Sequence, residues 1–214
     1  MANTSLKRVL VLGASGRTGQ LLVAKALAHG HEVTAFVRDP AKLTVASDRL
    51  RVVQGDAREG DALMNAVRGQ DVVISLLGVG DSFKPNGLIG ACGPRIVTAM
   101  ERQGVRRLIF TSGFGVGETY RDAPIPMKIF AKLLLKNIYR DKAAGEVPIR
   151  ASGLQWTIVY PTGMVDKPAR GDCRVGERLS IRGFAFISRG DVADFLLAQI
   201  DDATYVRKNA VISW

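Results

Sequence analysis

The amino-acid sequence predicts an α/β fold, a doubly wound parallel sheet formed by a single domain of residues 1–214. Apolar strand-like runs alternate with helical patterns almost from end to end, as in chains that cover both faces of a parallel sheet with helices. Two of these strands, around Val72–Ile74 and Leu108–Phe110, are apolar on both faces, which is typical of a sheet buried on both sides.

The individual elements follow from this alternation. The predicted strands are Lys7–Leu12, Glu32–Val37, Arg51–Gln54, Asp71–Leu77, Arg106–Thr111 and Leu154–Tyr160. The predicted helices lie near Arg17–His29, Asp61–Val67, Leu88–Gln103 and Ile125–Arg140. After residue 160, frequent proline and glycine break the alternation, so residues 161–187 are expected to form a small loop-rich substrate region on the main sheet.

The chain is expected to close with one further helix and strand. Ser188 and Asp191 have the spacing of a capping box, with Ser188 as the N-cap residue. A helix Val192–Ile200 and a strand Ala210–Ser213 are predicted after it. This structural role is preferred for both residues over a catalytic one.

A glycine-rich turn follows the first predicted strand. Gly13, Gly16 and Gly19 form G-x-x-G-x-x-G between an apolar strand and an amphipathic helix. Such a turn brings backbone N–H groups and a helix dipole to one point, where a pyrophosphate binds. The sequence therefore predicts a Rossmann-type dinucleotide site. Its predicted phosphate-side residues are Gly13, Ser15, Gly16, Arg17, Thr18 and Gly19.

The end of the second strand predicts the choice of cofactor. Arg38 stands where an acidic residue would bind the adenosine ribose of NAD, and an arginine there pairs with the 2′-phosphate of NADP. Arg17 is able to approach the same phosphate from the other side. NADP(H) is therefore the predicted cofactor. The alternative is that Arg38 forms a surface ion pair with Asp39 or Asp56.

Composition and charge limit the other functional classes. The net charge is +10, yet Lys and Arg are dispersed and form no basic tail, so no specific nucleic-acid binding is expected. No apolar run approaches the length of a membrane span, and Met1–Ser5 lacks the basic start of a signal peptide. With two separated cysteines, Cys92 and Cys173, the chain is expected to be a cytoplasmic protein with reduced thiols and no metal site.

Several motifs together resemble one superfamily along nearly the whole chain. They are the glycine turn, Val37-Arg38-Asp39-Pro40, Gly55-Asp56, Gly69–Gly78, Thr111-Ser112, Ser152-Gly153-Leu154, Tyr160-Pro161-Thr162 and Ile187–Ala193. With them the chain resembles the atypical short-chain dehydrogenase/reductases, in particular the NAD(P)H-binding NmrA-like proteins and the flavin reductase that is also biliverdin-IXβ reductase.

The resemblance implies roles for matching positions. Asp56 and Ala57 would flank the adenine, and Leu76, Leu77 and Gly78 would line the ribose and pyrophosphate. Ser112 and the turn Tyr160, Pro161 and Thr162 would lie near the nicotinamide. The alternatives are local: Asp56 caps a turn, and Ser112 closes a strand.

The chain departs from the superfamily at its catalytic tyrosine. Lys142 fits the lysine of Y-x-x-x-K, but the tyrosine position holds Ile138. Tyr139 is one place off and is expected to be turned about 100° away on a helix. Delivery of a proton to a carbonyl substrate is therefore not expected from this motif. The predicted catalytic residues are Ser112, which orients the nicotinamide or acceptor, and Lys142 as an electrostatic aid; the alternative for Lys142 is a solvated lysine.

These features predict an NADPH-dependent oxidoreductase that transfers hydride to a flavin, a quinone or a related conjugated acceptor. The alternative function is a non-catalytic NADP(H)-sensing regulatory protein of the NmrA-like type. An epimerase of sugar nucleotides ranks last, because little chain follows residue 160 to form its substrate domain. A homo-oligomer is left open.

A basic amphipathic pattern covers the helix predicted before Lys142. Met127, Phe130, Leu134 and Ile138 recur at helical spacing, and a stripe of basic residues runs beside them: Lys128, Lys132, Lys136 and Arg140. Such a helix binds an anionic membrane or a partner, or it covers a pocket as a lid. A lid or packing helix is preferred.

Overall fold

The computed structural model describes residues 6–78 and 87–214. Met1–Ser5, on which the expectation about a signal peptide rests, lie outside the described residues. The strands are β1 Arg8–Leu12, β2 Glu32–Val37, β3 Leu50–Gln54, β4 Val72–Ser75, β5 Arg107–Thr111, β6 Gln155–Pro161, β7 Gly163–Val165, β8 Arg174–Gly176, β9 Phe186–Ser188 and β10 Lys208–Ser213. The α-helices are α1 Arg17–Ala28, α2 Gly60–Val67, α3 Leu88–Gln103, α4 Ile125–Phe130, α5 Lys136–Ala151 and α6 Arg189–Ala198.

The main sheet of the described residues has eight strands in the order β3-β2-β1-β4-β5-β6-β10-β8. Every neighbouring pair is parallel except β10 and β8. The predicted doubly wound parallel sheet is confirmed. The chain moves outward from β1 to β3 and then returns to β4 on the other side of β1. In such sheets ligands bind outside the carboxyl ends of the strands at this switch point.

The core lies in two layers, one on each face of this sheet. On one face, Val9 and Val11 of β1 pack with Leu22 of α1 and Leu196 of α6. On the other face, Leu10 of β1 joins a cluster formed with α2, α3 and α5. Alternate residues of one strand thus serve opposite layers, because side chains on a strand point to alternate faces.

The predicted element bounds were matched closely in the first half of the chain. Observed and predicted bounds agree residue for residue for β2 and for α3. The helix expected over Ile125–Arg140 is instead α4, a π-helical turn at Ala131–Leu135, and α5, which runs on to Ala151. Helix α5 crosses α3 at Gly145. A Cβ on Gly145 would lie 2.6 Å from the carbonyl oxygen of Ile89, so glycine is needed for the two helices to approach this closely.

The region after residue 161 is built on the main sheet, with short strands between its loops. Strands β7 and β9 pair with each other, and β8 joins the edge of the main sheet beside β10. The Ser188 hydroxyl accepts from the amide of Asp191 at 2.9 Å, so its predicted N-cap role is confirmed. The helix that it caps begins at Arg189. Among the described helices, none has the length and apolar character needed to cross a bilayer.

Candidate functional site

The glycine turn between β1 and α1 is shaped by two close backbone approaches. Gly13 has φ +81°, and a Cβ on it would lie 2.8 Å from the carbonyl oxygen of Leu76. A Cβ on Gly19 would lie 2.2 Å from the carbonyl oxygen of Gly13, so only glycine lets α1 begin this close to β1. The turn after β1 therefore touches the chain leaving β4, at the switch point of the sheet.

The N-terminus of α1 lies at this edge and has no side-chain cap. Its N-cap residue, Gly16, has no side chain to accept a hydrogen bond, and the first turn carries no acidic residue. The first amides of an α-helix have no partner within the helix, and their partial positive charge favours an anion. This arrangement fits a pyrophosphate. The amide of Gly16 itself donates to Gly13 O at 3.1 Å and belongs to the turn.

Arg38 lies at the carboxyl end of β2 with its side chain exposed. The two carboxylates that the alternative would pair with it have other partners. Asp39 accepts from the amide of Ala41 and lies 3.7 Å from Lys42, and Asp56 pairs with Arg58. Within the described residues, no ion pair involves the Arg38 guanidinium. The surface ion pair considered for Arg38 is therefore not formed.

Asp56 and Ala57 follow β3 at the same edge. Asp56 accepts from the amide of Arg58 at 2.9 Å and pairs with its guanidinium at 2.5 Å. The Arg58 side chain lowers the pKa of Asp56 to about 2. Asp56 thus caps a turn, the local role considered for it, while its position beside the cleft agrees with the role implied by the resemblance. Ala57 is buried in the core.

The chain leaving β4 lies on the other side of the glycine turn. The amide of Leu76 donates to Leu12 O at 2.9 Å, which ties this segment to the end of β1. Leu76 and Leu77 are half-buried and Gly78 is exposed. The structure therefore brings the expected ribose–pyrophosphate residues beside the glycine turn.

Arg17 points toward the region after β6. Its Nη1 donates to Asp166 at 2.6 Å, and Arg189 lies 3.4 Å from the other oxygen of the same carboxylate. Asp166 follows β7, so this cluster joins the start of α1 to the predicted substrate region. Thr18 contacts the same region, with its hydroxyl 3.9 Å from the sulfur of Met164.

Ser112 follows β5 and takes part in a buried network. Its hydroxyl donates to Glu146 Oε1 at 2.6 Å, and the Tyr160 hydroxyl donates to Glu146 Oε2 at 2.6 Å. Arg150 donates in turn to the Tyr160 oxygen at 2.7 Å. Burial raises the pKa of Glu146, and the two hydroxyl donors oppose that rise. The network directs the Ser112 hydroxyl hydrogen toward Glu146, so the Ser112 oxygen can act toward a ligand only as an acceptor.

Lys142 and Tyr139 hold the loop that begins at Ser112. Lys142 Nζ donates to Ser112 O at 2.8 Å, and the Tyr139 hydroxyl donates to Phe114 O at 3.1 Å. Burial lowers the pKa of Lys142 to about 8 and raises that of Tyr139. The solvated-lysine alternative for Lys142 is wrong. Tyr139 is one helical position, about 100°, from Ile138, yet its hydroxyl reaches the same loop as Lys142, because positions three apart on a helix share a face.

The turn Tyr160, Pro161 and Thr162 ends β6 next to this loop. Tyr160 is fully buried, so its side chain does not line the cleft; this corrects the expected contact of that side chain with the cofactor. Pro161 O accepts from the amide of Phe114 at 3.0 Å. Thr162 is buried with its hydroxyl on Ser213. Only the backbone of this turn stays close to the predicted nicotinamide position.

Two residues of this site, Glu146 and Asp166, are not among those that the sequence motifs predict. Glu146 stands four residues after Lys142, so the same helix face carries both, and that spacing was the available signal. Asp166 gave no local signal, because it meets Arg17 across 149 residues of sequence.

Comparison with known proteins gives the family. A model of the NAD(P)H-binding family matches residues 13–203, and the chain belongs to this family. The resemblance to the atypical short-chain dehydrogenase/reductases and the expected nicotinamide dinucleotide cofactor are thereby confirmed.

Individual relatives agree with this assignment. An uncharacterised chloroplastic protein of Arabidopsis thaliana is 30% identical over 179 residues, covering 78% of this chain and 62% of the relative. The chain thus spans less than two thirds of the length of the first curated relatives it matches. An anaerobilin reductase of Escherichia coli O157:H7 has the same fold, with a TM-score of 0.80, 21% identity and 96% of each chain covered.

A further solved structure carries a bound cofactor. It is a short-chain dehydrogenase/reductase of Veillonella parvula in complex with NADP. Its TM-score is 0.80 at 22% identity, with 98% of this chain and 95% of that chain covered. At this identity the likeness shows the fold.

Proposed function

We propose that the protein is an NADPH-dependent oxidoreductase that transfers hydride to a flavin, a quinone or a related conjugated acceptor. The observation that carries the proposal is the N-terminus of α1, which follows the glycine turn and has no side-chain cap. Arg38 lies at the end of the neighbouring strand β2. The family match supports the dinucleotide, and the arrangement around Ser112 supports the class of acceptor.

The preference for NADP rests on Arg38. Its guanidinium forms no ion pair within the described part of the chain and lies at the strand end that discriminates the ribose substituent. A charge-assisted hydrogen bond contributes roughly 1.5–3 kcal/mol, which favours NADP over NAD by about tenfold to a hundredfold. Asp166 already engages Arg17, so Arg38 is the principal contact to the 2′-phosphate in this proposal.

The chemistry follows from which protons the site is able to release. When bound, the dihydronicotinamide would supply a hydride, which carries both electrons, and solvent would supply one proton, so that the reduced acceptor and NADP⁺ are the products. The Tyr139 hydroxyl donates its hydrogen bond to Phe114 O, and burial raises the pKa of Tyr139, so Tyr139 is not an activated acid. The Ser112 hydroxyl donates its hydrogen bond to Glu146. The residues therefore orient the rings, and acceptors that solvent protonates fit this site best.

Lys142 has a positioning role in this proposal. Its ammonium holds the carbonyl of Ser112 and fixes the loop that faces the nicotinamide side. A pKa of about 8 leaves it largely protonated near neutral pH, where its charge favours the electron-rich reduced acceptor.

An acceptor panel tests the proposed activity. NADPH oxidation is measured with free flavins, quinones and simple ketones. Turnover of flavins or quinones without ketones is expected. Turnover restricted to ketones would contradict the proposed acceptor class. Tight NADPH binding with no oxidation of any acceptor would instead indicate the sensing protein.

The cofactor preference has its own test. Arg38→Asp should weaken NADP binding by about tenfold to a hundredfold in calorimetry and leave NAD binding nearly unchanged. Arg102→Asp makes the same charge change at the far end of α3 and is the matched control. An equal loss for both dinucleotides would show that Arg38 does not contact the 2′-phosphate.

A further inference from the structure

The segment of residues 123–140, here called the basic segment, leaves many large apolar side chains exposed. It comprises α4, the π-helical turn and the start of α5. Ile125 and Leu133 are 72% and 75% exposed. Three more exposed apolar side chains lie on the same segment: Ile129, Phe130 and Leu134. An exposed apolar surface of this extent marks an interaction site.

The same segment carries only positive charge. It contains no Asp or Glu between Ala123 and Arg140, while Lys and Arg recur every four residues. Lys132, Lys136 and Arg140 are exposed and Lys128 is half-buried. The whole chain has a net charge of +10. The surface that covers this segment must therefore accept both apolar side chains and a row of cations.

The inner face of the basic segment is fixed to the fold. Ala131 is buried, and Tyr139 bonds Phe114 O. Phe130 packs edge-on against Phe184 with ring centroids 5.9 Å apart. Phe130 thus contributes to this packing, whereas Ile125, Ile129, Leu133 and Leu134 stay more than half exposed. The lid expected from the sequence stays a prediction, because a lid presents its apolar face to a bound substrate.

We propose that the basic segment docks on an anionic membrane surface. Amphipathic helices with lysines beside exposed isoleucine, leucine and phenylalanine bind in the plane of such surfaces. Charge complementarity selects this occupant over a second copy of the chain. A two-fold interface would place the same lysine row against itself and bring like charges together. An anionic bilayer accepts the apolar side chains and neutralises the lysines in one contact.

Docking also narrows the acceptor class, an inference that rests on the proposed function. The basic segment adjoins the loop that starts at Ser112. Tyr139, within the segment, and Lys142, two residues after it, both donate hydrogen bonds to that loop. A docked protein would hold the mouth of the cleft against the bilayer. The acceptor is then a lipid-soluble quinone, which takes up a hydride from NADPH and a proton from solvent to give the hydroquinone and NADP⁺.

Vesicle sedimentation tests the docking without cofactor or acceptor. Wild-type protein should sediment with vesicles of mixed phosphatidylglycerol and phosphatidylcholine but not with phosphatidylcholine alone. Ile129→Asp with Leu133→Asp should lower the binding constant at least about tenfold, because two apolar anchors are lost. Val147→Asp replaces a side chain that is 66% exposed on α5 outside the segment, and it should bind like wild type.

The contribution of the lysines to vesicle binding is tested with a second double variant and its own control. Lys132→Glu with Lys136→Glu should weaken binding by about fivefold or more for each lysine, and added salt should weaken the wild type in the same direction. Arg68→Glu with Arg102→Glu makes the same net change elsewhere and should lose much less. Absence of wild-type sedimentation, or equal losses in test and control variants, would overturn the proposal.

Two measurements separate the remaining outcomes. Analytical ultracentrifugation that finds a dimer broken by Ile129→Asp and Leu133→Asp, with no vesicle binding, would assign the surface to a second copy and overturn the membrane. Long-chain quinone in anionic vesicles should be reduced faster by wild type than by that double variant, with equal rates on a water-soluble quinone. If no acceptor oxidises NADPH but sedimentation persists, the proposed function fails while the docking stands.

Discussion

Three helices of this protein begin in different ways, and the difference locates the site. At α6, the Ser188 hydroxyl accepts from the amide of Asp191. At α3, the carboxylate of Asp141 from α5 accepts from the amides of Ile89 and Gly90 at 3.1 and 2.9 Å. At α1, Gly16 offers no side chain. Two of the three N-termini receive side-chain caps, and the third, which has none, is the one where we propose that the pyrophosphate binds.

The comparison shows how one physical property serves stability and function. The amides at any helix N-terminus attract an oxygen with negative charge. The protein supplies that oxygen itself at α3 and α6, where no ligand is expected. At α1 the glycines hold the helix against β1 without filling the space in front of it.

The largest predicted effect comes from giving α1 an acidic cap. Gly16→Asp places a carboxylate where the pyrophosphate is expected, and repulsion of roughly 4 kcal/mol should weaken NADPH binding by a hundredfold or more. The fold should lose about 1 kcal/mol or less, because the new Cβ lies 3.3 Å from Gly13 O while aspartate is a favoured N-cap residue. Gly16→Asn is the control of equal size. Calorimetry and urea unfolding measure both; an equal loss of affinity for Asn and Asp would indicate steric exclusion only.

The next effect concerns the contact that holds α1 against β1. Gly19→Ala would force a Cβ to within 2.2 Å of Gly13 O. The backbone must shift, which should lower the free energy of unfolding by roughly 1–3 kcal/mol and also weaken the cofactor site. Gly60→Ala, at the start of α2, meets nothing within 4 Å and should be neutral or slightly stabilising in the same denaturation assay. Similar losses for both variants would refute the close-approach argument.

The smallest effect tests the cap that Asp141 of α5 supplies to the N-terminus of α3. Asp141→Ala removes the acceptor of two α3 amides, so the free energy of unfolding should fall by about 1–2 kcal/mol. NADPH affinity should change little, since we propose that the cofactor binds at α1. Asp141→Asn keeps one acceptor oxygen and should lose about half as much. A loss of NADPH affinity as large as that of Gly16→Asp would show that α3 also binds the cofactor.

The sequence by itself determined the sheet, most element bounds, the glycine turn and the position of Arg38. These depend on interactions local in sequence. The apolar pattern of each strand, the tight turn at Gly13 and the residue at which each strand ends all follow from short stretches of chain. A residue at the end of a parallel strand must lie at the common carboxyl edge, whatever the rest of the chain does.

Only the tertiary structure decided the environment of the side chains from distant elements. Glu146 accepts from Ser112, just after β5, and from Tyr160 of β6, and the half-buried Lys142 donates to the carbonyl of Ser112. The sequence placed both residues on a helix but did not specify which neighbours that helix would contact. Burial and hydrogen bonding depend on how α5 crosses α3, and the contact of Gly145 with Ile89 sets that crossing. Packing between helices is a property of two surfaces at once, so neither segment alone specifies it.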